Sequence, residues 1–333
     1  MKRKKIIEAY DYQEIINAGE YLATGEGYYE QIDVVYWWRK IHAKPLQRLF
    51  CSLWAAPNLF VAQRLKRLDS IRQKLLRNKK LTLWDMQDIG GCRVVVDSPK
   101  ELKKAVKYDI GKDFTKIRRS NYIKKPKKDG YRGIHRIYRY EPYYEDLPGL
   151  DFEVQYRTSY QHAWATAVEV MSSVEGFNIK AGEGPEDIKR FFVVASSILA
   201  LEEGQPVVPD TKADMTCLLK ELAHLNKKES IIARLTSHII PFPTWCREPN
   251  VSNRIFSLLC LDEVVGRLDV YDIRDMEKAI AAYDVAETHP DKNVVLTRIE
   301  EAAVATAYPN YLRDARTFAI ALQMIARENG ITL

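Results

Sequence analysis

The segment 89–97 limits what this chain can fold into more than any other part of its sequence. It reads Ile-Gly-Gly-Cys-Arg-Val-Val-Val-Asp and is followed by Ser98 and Pro99. A β-branched run bounded by glycines and a turn signal is typical of a buried strand. Alternation of apolar and polar residues at 134–140 and 151–156 predicts two further strands, with helical periodicity on both sides. This order of elements predicts a domain of mixed helices and strands over about residues 50–205.

The regions before and after this domain have different patterns. Residues 1–80 show mainly helical periodicity, and Pro45 is expected in the first turn of a helix. Residues 205–210 have the composition of a linker. After a helix at 212–238, the pattern predicts two strands, a helix, a strand and two more helices, of which the first is at 299–306. We therefore divide the chain into an N-terminal helical region (1–50), a central domain (51–205) and a C-terminal accessory module (206–333).

The C-terminal module is predicted to be a small α+β unit that packs separately. It is expected to modulate the central domain rather than to complete its site, because the central domain already contains the residues that the chemistry requires. Its aromatic residues Trp245, Tyr308 and Tyr311 are expected to be core residues. Contact with the central domain or with a partner is the alternative.

The composition disfavours several classes of protein. The five cysteines are scattered and form no C-x-x-C pair, which disfavours a zinc site or a disulfide framework and favours a reducing cytoplasm. No apolar run approaches the roughly 18–20 residues of a membrane-spanning helix, and no signal peptide is expected. Neither a G-x-x-x-x-G-K-S/T loop nor a G-x-G-x-x-G turn occurs. The sequence therefore lacks the common phosphate-binding loops.

The positive charge of the chain is concentrated in one block. Residues 100–140 contain fifteen Lys and Arg and four Asp and Glu, a local charge of +11, whereas the whole chain carries +6. A basic block in an otherwise mildly acidic chain favours a polyanionic ligand. A solvated lysine-rich surface is the alternative.

A first basic segment, at 64–74, is a candidate for binding phosphate. As a helix it would place Arg64, Arg67 and Lys74 on one stripe, with Lys66 and Ser70 beside it. Arginine offers a bidentate fork for phosphate and lysine a point charge. Solvated basic helices have the same appearance.

A second basic segment, at 124–135, surrounds an aromatic residue. Asp129 and Gly130 predict a turn, and Tyr131 follows directly with Arg132 beside it. A tyrosine between basic residues can stack on a base while its neighbours hold phosphates. The alternative is a plain turn.

Carboxylates occur at two strands of the predicted sheet. Asp88 lies at the start of the strand at 89–97, and the strand at 151–156 places Asp151, Glu153 and Gln155 on one face. A carboxylate in such a position needs a partner, and Mg²⁺ bound to phosphates is one. For Asp88, a turn or cap residue is the alternative. Glu153 is a candidate for a metal ligand or general base.

Taken in order, these segments resemble the synthetase domain of the RelA/SpoT family of nucleotide pyrophosphokinases. The family pattern is R-x-K-x-x-x-S-I-x-x-K, an Asp before a strand with G-x-R, a basic segment ending in G-Y-R-S-x-H, and E-x-Q-x-R-T. The matching segments are 64–74, 88–94, 130–135 and 153–158. Gly133 stands where the family has Ser and Tyr156 where it has Ile. The family's hydrolase motif is absent from this sequence.

The resemblance implies a fold and a set of roles. The fold is α+β, a mixed-sheet nucleotidyltransferase-like synthetase domain flanked by helices, with the small C-terminal α+β module added. Asp88 and Glu153 would be the catalytic residues and the ligands of Mg²⁺. The other roles would be ATP binding by Arg64, Lys66, Ser70 and Lys74, acceptor binding by Lys127, Tyr131, Arg132 and His135, and support by Arg93, Gln155 and Arg157.

The implied function is transfer of pyrophosphate from ATP to the 3′-hydroxyl of GTP or GDP, which makes the alarmone (p)ppGpp in the cytoplasm. Two alternatives remain open at this point. One is a toxin-like pyrophosphokinase that acts on the 3′ CCA end of tRNA or on adenine nucleotides. The other is a non-catalytic sensor of nucleotide or RNA, which the presence of both Asp88 and Glu153 disfavours. No membrane partner is expected, and the sequence is compatible with an oligomer.

Overall fold

The computed structural model of the chain describes residues 9–57, 59–142, 149–240, 244–246, 256–289, 291–297, 304–306 and 308–333. Its strands form two sheets. The strands of the first sheet are β1 (Phe60–Leu65), β2 (Gly90–Val96), β3 (Phe114–Asn121), β4 (Ile134–Tyr140) and β5 (Leu150–Thr158). The strands of the second sheet are β6 (Thr244–Cys246), β7 (Phe256–Asp262), β8 (Arg267–Ile273) and β9 (Lys292–Thr297).

The helices lie before, between and after these strands. The α-helices are α1 (Tyr12–Thr24), α2 (Gln31–Trp54), α3 (Leu68–Arg77), α4 (Pro99–Ala105), α5 (Ser159–Glu175), α6 (Glu186–Glu202), α7 (Met215–Glu229), α8 (Ile231–Ser237), α9 (Met276–Glu287) and α10 (Arg316–Glu328). Short 3-10 helices occur at Ile179–Ala181 and Pro309–Leu312. Of the predicted helix at 299–306, only 304–306 lie within the described residues, and they are helical. No helix in the described ranges is both long and apolar enough to cross a membrane.

The first sheet is mixed, with the strand order β1-β2-β5-β4-β3. β2 and β5 are parallel, and the other neighbouring pairs are antiparallel. The buried strand predicted at 89–97 is thus β2, next to one edge strand. The predicted fold class, α+β with a mixed sheet flanked by helices, is confirmed.

The strand β1 was not predicted, and the stripe expected for the segment 64–74 is wrong. Arg64 belongs to β1, Lys66 to the connection that follows, and Lys74 to α3. Residues 60–65 pair with β2, and Val61 and Leu65 are buried while Arg64 is exposed. Ala62 and Gln63 are buried as well, so both faces of the strand are largely covered, and the pairing with β2 identifies these residues as a strand and not a helix.

β3 was not predicted either, because its sequence shows no alternation that would reveal a strand. Phe114 is buried, but the next five residues are exposed, including Ile117 and several cations. β3 is an edge strand, and exposed Lys and Arg are a common means of preventing pairing with another chain. Part of the basic block at 100–140 is therefore this exposed edge.

Two predicted helix boundaries differ from the structure. Pro45 lies inside α2 and not in the first turn of a new helix. The apolar face that includes Val35 and Trp38 continues beyond it to Leu49, so packing compensates for the hydrogen bond that proline cannot donate. The predicted helix at 212–238 is divided into α7 and α8 at Ser230, whose φ of 50° interrupts the helix.

The second sheet is not packed separately, contrary to the prediction. Leu258, Tyr283 and Leu296 belong to the same apolar core as α1, α2 and the first sheet. The helix α10 shares a second core with α5, α6, α7 and α8. Tyr308 and Tyr311 are buried as predicted, in a third core that also includes Ala62 of β1. The side chain of Trp245 lies outside the described residues.

The proposed division at 1–50, 51–205 and 206–333 remains a prediction. Its first boundary falls within α2, which continues to Trp54. Its second boundary falls close to the end of α6.

Candidate active site

One face of the first sheet carries polar side chains predicted for the site. The strand register places Arg64 of β1 and Glu153 of β5 in one row, which passes through β2. In the neighbouring row Arg93 of β2 pairs with Gln155 of β5, which pairs with His135 of β4. Residues two positions apart on a strand share a face, so the predicted polar face of β5 is confirmed.

Two glycines of the motifs allow close approach at this site. A Cβ at Gly91 would come within 2.8 Å of the carbonyl oxygen of Glu153. Gly130 has a φ of 94°, and a Cβ there would lie 2.9 Å from the ring of Trp164. Only glycine fits these positions without a shift of the neighbouring groups.

Asp88 is held between two lysines. Lys74 Nζ lies 2.8 Å from Oδ1 of Asp88 and Lys66 Nζ lies 3.1 Å from Oδ2, and 19% of the Asp88 side chain is exposed. Burial on its own would raise the pKa of the Asp88 carboxyl, but the two ammonium groups outweigh burial and hold the pKa below its ordinary value. Burial lowers the pKa of Lys66, and Asp88 opposes that shift. Asp88 is therefore ionised and lies among cations.

Glu153 belongs to a closed ring of side-chain hydrogen bonds. His135 Nδ1 lies 2.8 Å from Oε1 of Glu153, and Gln155 Nε2 donates to Oε2 at 2.6 Å. Arg157 Nη2 donates to Gln155 Oε1 at 2.8 Å and to the Tyr131 hydroxyl at 3.0 Å. The Tyr131 hydroxyl lies 2.5 Å from His135 Nε2, which closes the ring.

The ring determines the charge of Glu153. Burial would raise the pKa of its carboxyl, but the hydrogen bond from His135 and that from Gln155 lower the pKa to about 2. The repulsion between Glu153 and Asp88 affects the pKa of Asp88, so the two carboxylates are close enough to interact. Both are ionised at neutral pH.

Tyr131 presents a ring surrounded by cations. Lys127 Nζ lies 5.0 Å from the ring centroid and Arg157 Cζ lies 5.2 Å from it, while Tyr122 contacts the ring edge-on at 5.9 Å. The side chain of Lys127 is exposed. The arrangement puts an aromatic ring and two cations, a combination that can hold a base and its phosphates, at one place.

A cavity of about 200 Å³ opens beside the ring of hydrogen bonds. Basic side chains dominate its lining, which consists of Arg64, Arg93, Lys127, Asp129, Tyr131, His135, Gln155, Arg157, Trp164, Val168, Glu169, Ile179 and Lys180. A second, smaller cavity, lined in part by Asp88, Glu153 and Tyr308, shares three residues with the first, namely Arg64, Arg93 and Gln155.

Two arginines of the lining have donor groups without a partner. Nε of Arg93 and Nε of Arg157 are buried and make no hydrogen bond within the described residues. Burial and the repulsion from Arg157 lower the pKa of Arg93 to about 10, which still leaves it charged at neutral pH. Two guanidinium groups that repel each other in the lining of one cavity favour the binding of an anion there.

Two predicted residues are not part of these contacts. Arg132 is 4% exposed and points to α6, where its Nε donates to Ser196 Oγ at 3.0 Å. Ser70 lies on α3 one turn before Lys74, but it lines neither cavity. The geometry therefore brings together Asp88, Glu153, Arg64, Lys66, Lys74, Lys127, Tyr131, His135, Arg93, Gln155 and Arg157.

The lining includes residues that were not predicted for the site, among them Glu169, Lys180 and Tyr308. Lys180 Nζ lies 2.5 Å from Oε1 of Glu169, and this ion pair forms one wall of the larger cavity. A carboxylate in the middle of the apolar helix α5 was the signal that could have identified Glu169. Tyr308 comes from the C-terminal region, and no local signal connects it to the site.

The residues present fit a magnesium ion that is shared with phosphates. No group of three or more acidic, His or Cys residues that could hold a metal occurs in the described part of the chain. Mg²⁺ is usually bound through one or two carboxylates together with substrate phosphates and water. Asp88 and Glu153 are two ionised carboxylates of this kind, and they line one cavity.

The sequence of this region matches a family model. Residues 63–172 match the region found in RelA/SpoT proteins. Every site residue predicted above lies in this span. The chain therefore contains a RelA/SpoT-type region, and the recognition made from the motifs is confirmed.

The relatives include uncharacterized proteins and probable enzymes. An uncharacterized protein of Mycobacterium tuberculosis strain H37Rv is 29% identical over 196 residues, which are 58% of this chain and 67% of that protein. A probable chloroplastic GTP diphosphokinase of rice is 36% identical over 102 residues, 30% of this chain and 13% of that enzyme. The chain thus spans a small part of the plant enzyme.

Solved structures of small alarmone synthetases are also similar. The small alarmone synthetase 1 of Bacillus subtilis, bound to its product pppGpp, has 25% identity and a TM-score of 0.37, covering 50% of this chain and 85% of that chain. The small alarmone synthetase 2 of Bacillus subtilis has 20% identity and a TM-score of 0.43, covering 53% and 95%. With scores at this level, the assignment of the site rests on its motifs and its geometry.

Proposed function

We propose that this chain, which contains a RelA/SpoT-type region, is a Mg²⁺-dependent pyrophosphotransferase that moves the terminal pyrophosphate of ATP to the 3′-hydroxyl of GTP or GDP. The observation that carries the proposal is the junction of two ionised carboxylates, Asp88 and Glu153, with a cavity lined by cations and an aromatic ring. The relative in rice is named a probable GTP diphosphokinase, which supports the class of enzyme.

The donor occupies the side of the site that carries Asp88. Lys66 of the connection and Lys74 of α3 contact that carboxylate, and Arg64 of β1 lines the same cavity. These three residues supply the positive charge that the triphosphate requires. Ser70 lies one turn before Lys74, and we assign its hydroxyl to the same phosphates. When Mg²⁺ is bound, Asp88 and Glu153 hold it, and it neutralises charge on the phosphate oxygens.

The acceptor occupies the larger cavity. Its base stacks on the ring of Tyr131, whose two cationic neighbours Lys127 and Arg157 bind its phosphates. Arg93 and Arg157 line the same cavity and add positive charge for these phosphates. His135 and Gln155 orient Glu153 towards the acceptor's 3′-hydroxyl.

In the reaction the 3′-oxygen of the acceptor forms a bond with the β-phosphorus of ATP. The bond from that phosphorus to the oxygen bridging the α- and β-phosphates breaks, AMP leaves with the bridging oxygen, and the hydroxyl proton moves to Glu153. A carboxylate with a pKa of about 2 is a weak base. It suffices because transfer to phosphorus passes through a loose transition state in which little negative charge must be generated on the attacking oxygen.

Label transfer from ATP to a panel of acceptors tests this proposal. The full-length protein is incubated with γ-labelled ATP and Mg²⁺ together with GTP, GDP, ATP or bulk tRNA. We expect label on GTP and GDP, with none when EDTA is added. Label on tRNA or on a second adenine nucleotide instead would contradict the assigned acceptor, and the absence of transfer to every acceptor would contradict the assigned reaction.

A further inference from the structure

The edge strand β1 and the connection that follows it are held by residues from the C-terminal region. On one side of this segment the backbone pairs with β2. The pairing continues one residue past the end of β1, where Lys66 N donates to Ile89 O at 2.7 Å. Because backbone groups alternate along a strand, the carbonyls of Gln63 and Leu65 point to the outer side. An edge strand leaves such groups without a strand partner.

Two tyrosine hydroxyls bind these outward carbonyls. Tyr308 OH donates to Gln63 O at 2.5 Å, and Tyr283 OH donates to Leu65 O at 3.3 Å. Tyr308 OH also lies 2.6 Å from Thr297 Oγ1, and it accepts from that hydroxyl because its own proton is given to the carbonyl. Both tyrosines are buried, with 4% of Tyr308 and 0% of Tyr283 exposed.

The start of α3 is held by the same region. Glu287 Oε1 accepts from the backbone nitrogen of Leu68 at 3.1 Å, and Arg67 Nη1 donates to Asn293 Oδ1. A carboxylate at the first turn of a helix also interacts favourably with the helix dipole. Arg39 Nη1 lies 2.7 Å from Oε2 of Glu287 and orients it.

We infer that the C-terminal region positions the donor-binding residues of this enzyme, with Tyr308 as the main positioning residue. The inference rests on the proposed function, because it assigns a role towards ATP. Contacts at positions 63, 65, 67 and 68 surround the two cations Arg64 and Lys66. Tyr308 itself lines the cavity that contains Arg64 and Asp88. Its hydroxyl is fully used by Gln63 and Thr297, so it acts on ATP through the backbone of β1.

This inference replaces the prediction that the C-terminal module modulates the site without completing it. Tyr308 lies more than 200 residues after Gln63 in the chain, yet the donor site depends on their contact. A chain that ends near residue 203 would lack these contacts, and it would also lack α10 from the core shared with α5 and α6.

The variant Tyr308→Phe tests the inference, because it removes the hydroxyl and keeps the ring. Tyr311→Phe is the matched control, since Tyr311 is equally buried and its hydroxyl donates to Val294 O at 3.1 Å, within the C-terminal region. The first measurement is hydrogen exchange of the backbone amides 63–68 in the free protein, which requires no ligand. We expect roughly tenfold faster exchange in Tyr308→Phe and no change at these amides in Tyr311→Phe, as the loss of one buried hydrogen bond implies.

The second measurement is the affinity for a non-hydrolysable ATP analogue with Mg²⁺. We expect roughly tenfold weaker binding in Tyr308→Phe, an unchanged KM for the acceptor, and the wild-type affinity in Tyr311→Phe. In an Arg64→Ala background the same Tyr308→Phe change should have a much smaller effect, because Tyr308 acts through the segment that carries Arg64. Tyr283→Phe should also make the exchange of amides 63–68 faster and the binding of the ATP analogue weaker.

The outcomes separate this inference from the proposed function. The positioning role of Tyr308 would be overturned if Tyr308→Phe and Tyr311→Phe showed the same hydrogen exchange at amides 63–68 and the same affinity for the ATP analogue. A wild-type protein that binds no ATP analogue would contradict the proposed function. In that case the exchange of amides 63–68 in the free protein would still decide whether Tyr308 holds β1.

Discussion

His135 Nδ1 donates to Oε1 of Glu153 across 2.8 Å, because an ionised carboxylate can only accept. The other ring nitrogen, Nε2, lies 2.5 Å from the Tyr131 hydroxyl. Tyr131, which we propose to bind the acceptor, is therefore connected through one histidine to Glu153, the proposed catalytic carboxylate. In the proposed reaction, a change at Tyr131 reaches Glu153 through hydrogen bonds as well as through the bound acceptor.

We predict that Asp88→Asn lowers turnover at least 100-fold, the order expected when a group that acts on transition-state charge is lost. The variant should still bind an ATP analogue in the absence of Mg²⁺, because Lys66 and Lys74 lose their competing carboxylate and remain available for phosphate. Isothermal titration with and without Mg²⁺ measures this. Asp85→Asn is the control, since Asp85 accepts from Thr82 on the surface nearby and should keep full activity. Normal turnover in Asp88→Asn would contradict its assignment.

The low pKa of Glu153 predicts a loss of stability in acid. A carboxyl whose pKa falls from 4.5 to about 2 on folding stabilises the folded state above pH 4.5, and this contribution is lost as the pH falls towards 2. At 1.36 kcal/mol for each pKa unit, it amounts to at most about 3 kcal/mol. The free energy of unfolding in urea should thus fall more steeply between pH 4.5 and pH 2.5 in the wild type than in Glu153→Gln. If the free energy of unfolding fell equally with pH in the two proteins, the hydrogen bonds from His135 and Gln155 to the Glu153 carboxylate would not stabilise the folded state.

The aromatic ring of Tyr131 should matter more to the acceptor than to ATP. Tyr131→Ala is expected to weaken acceptor binding by ~1–3 kcal/mol, the range found for base stacking, with a smaller effect on ATP. Tyr131→Phe is the matched variant, because it keeps the ring and removes the hydrogen bonds to His135 and Arg157. It should retain most of the acceptor affinity and lose turnover. Equal losses for both substrates in Tyr131→Ala would assign the ring a structural role.

Lys127 and Arg132 were both predicted to bind the acceptor, but their substitution should have different effects on KM and on Tm. Lys127 is exposed beside Tyr131, so Lys127→Ala should raise the KM for the acceptor several-fold with an unchanged Tm. Arg132 is buried and bound to Ser196, so Arg132→Met should lower the Tm by several degrees, the effect of about 1–2 kcal/mol, with little change in KM. A comparison of KM and Tm for the two variants checks this. If Arg132→Met instead raised the KM for the acceptor and left the Tm unchanged, Arg132 would belong to the acceptor site.

The sequence predicted the residues that meet in the candidate site better than it predicted the elements that carry them. Asp88 and Glu153 could be predicted because a charged residue at or on a buried strand has few structural explanations. β1 could not be predicted, because the basic periodicity of 64–74 begins inside it at Arg64 and resembles a helix. The contact between Tyr308 and Gln63 joins distant parts of the chain. An apolar or aromatic residue indicates that it will be buried, but not against which element.

The most direct test of the proposed reaction is the fate of two labels in one experiment. ATP labelled at the β- and γ-phosphates with different isotopes is incubated with GDP, Mg²⁺ and the full-length protein, and the products are separated and counted. We predict that both labels appear together on the 3′ position of the guanine nucleotide in a ratio of one to one, with one AMP released for each. In Glu153→Gln, both transfers should fall together at least 100-fold, while Glu186→Gln, an exposed carboxylate on α6, should match the wild type. Transfer of the γ-label alone, or release of AMP with free pyrophosphate and no labelled guanine nucleotide, would contradict the assignment of this chain as a pyrophosphotransferase.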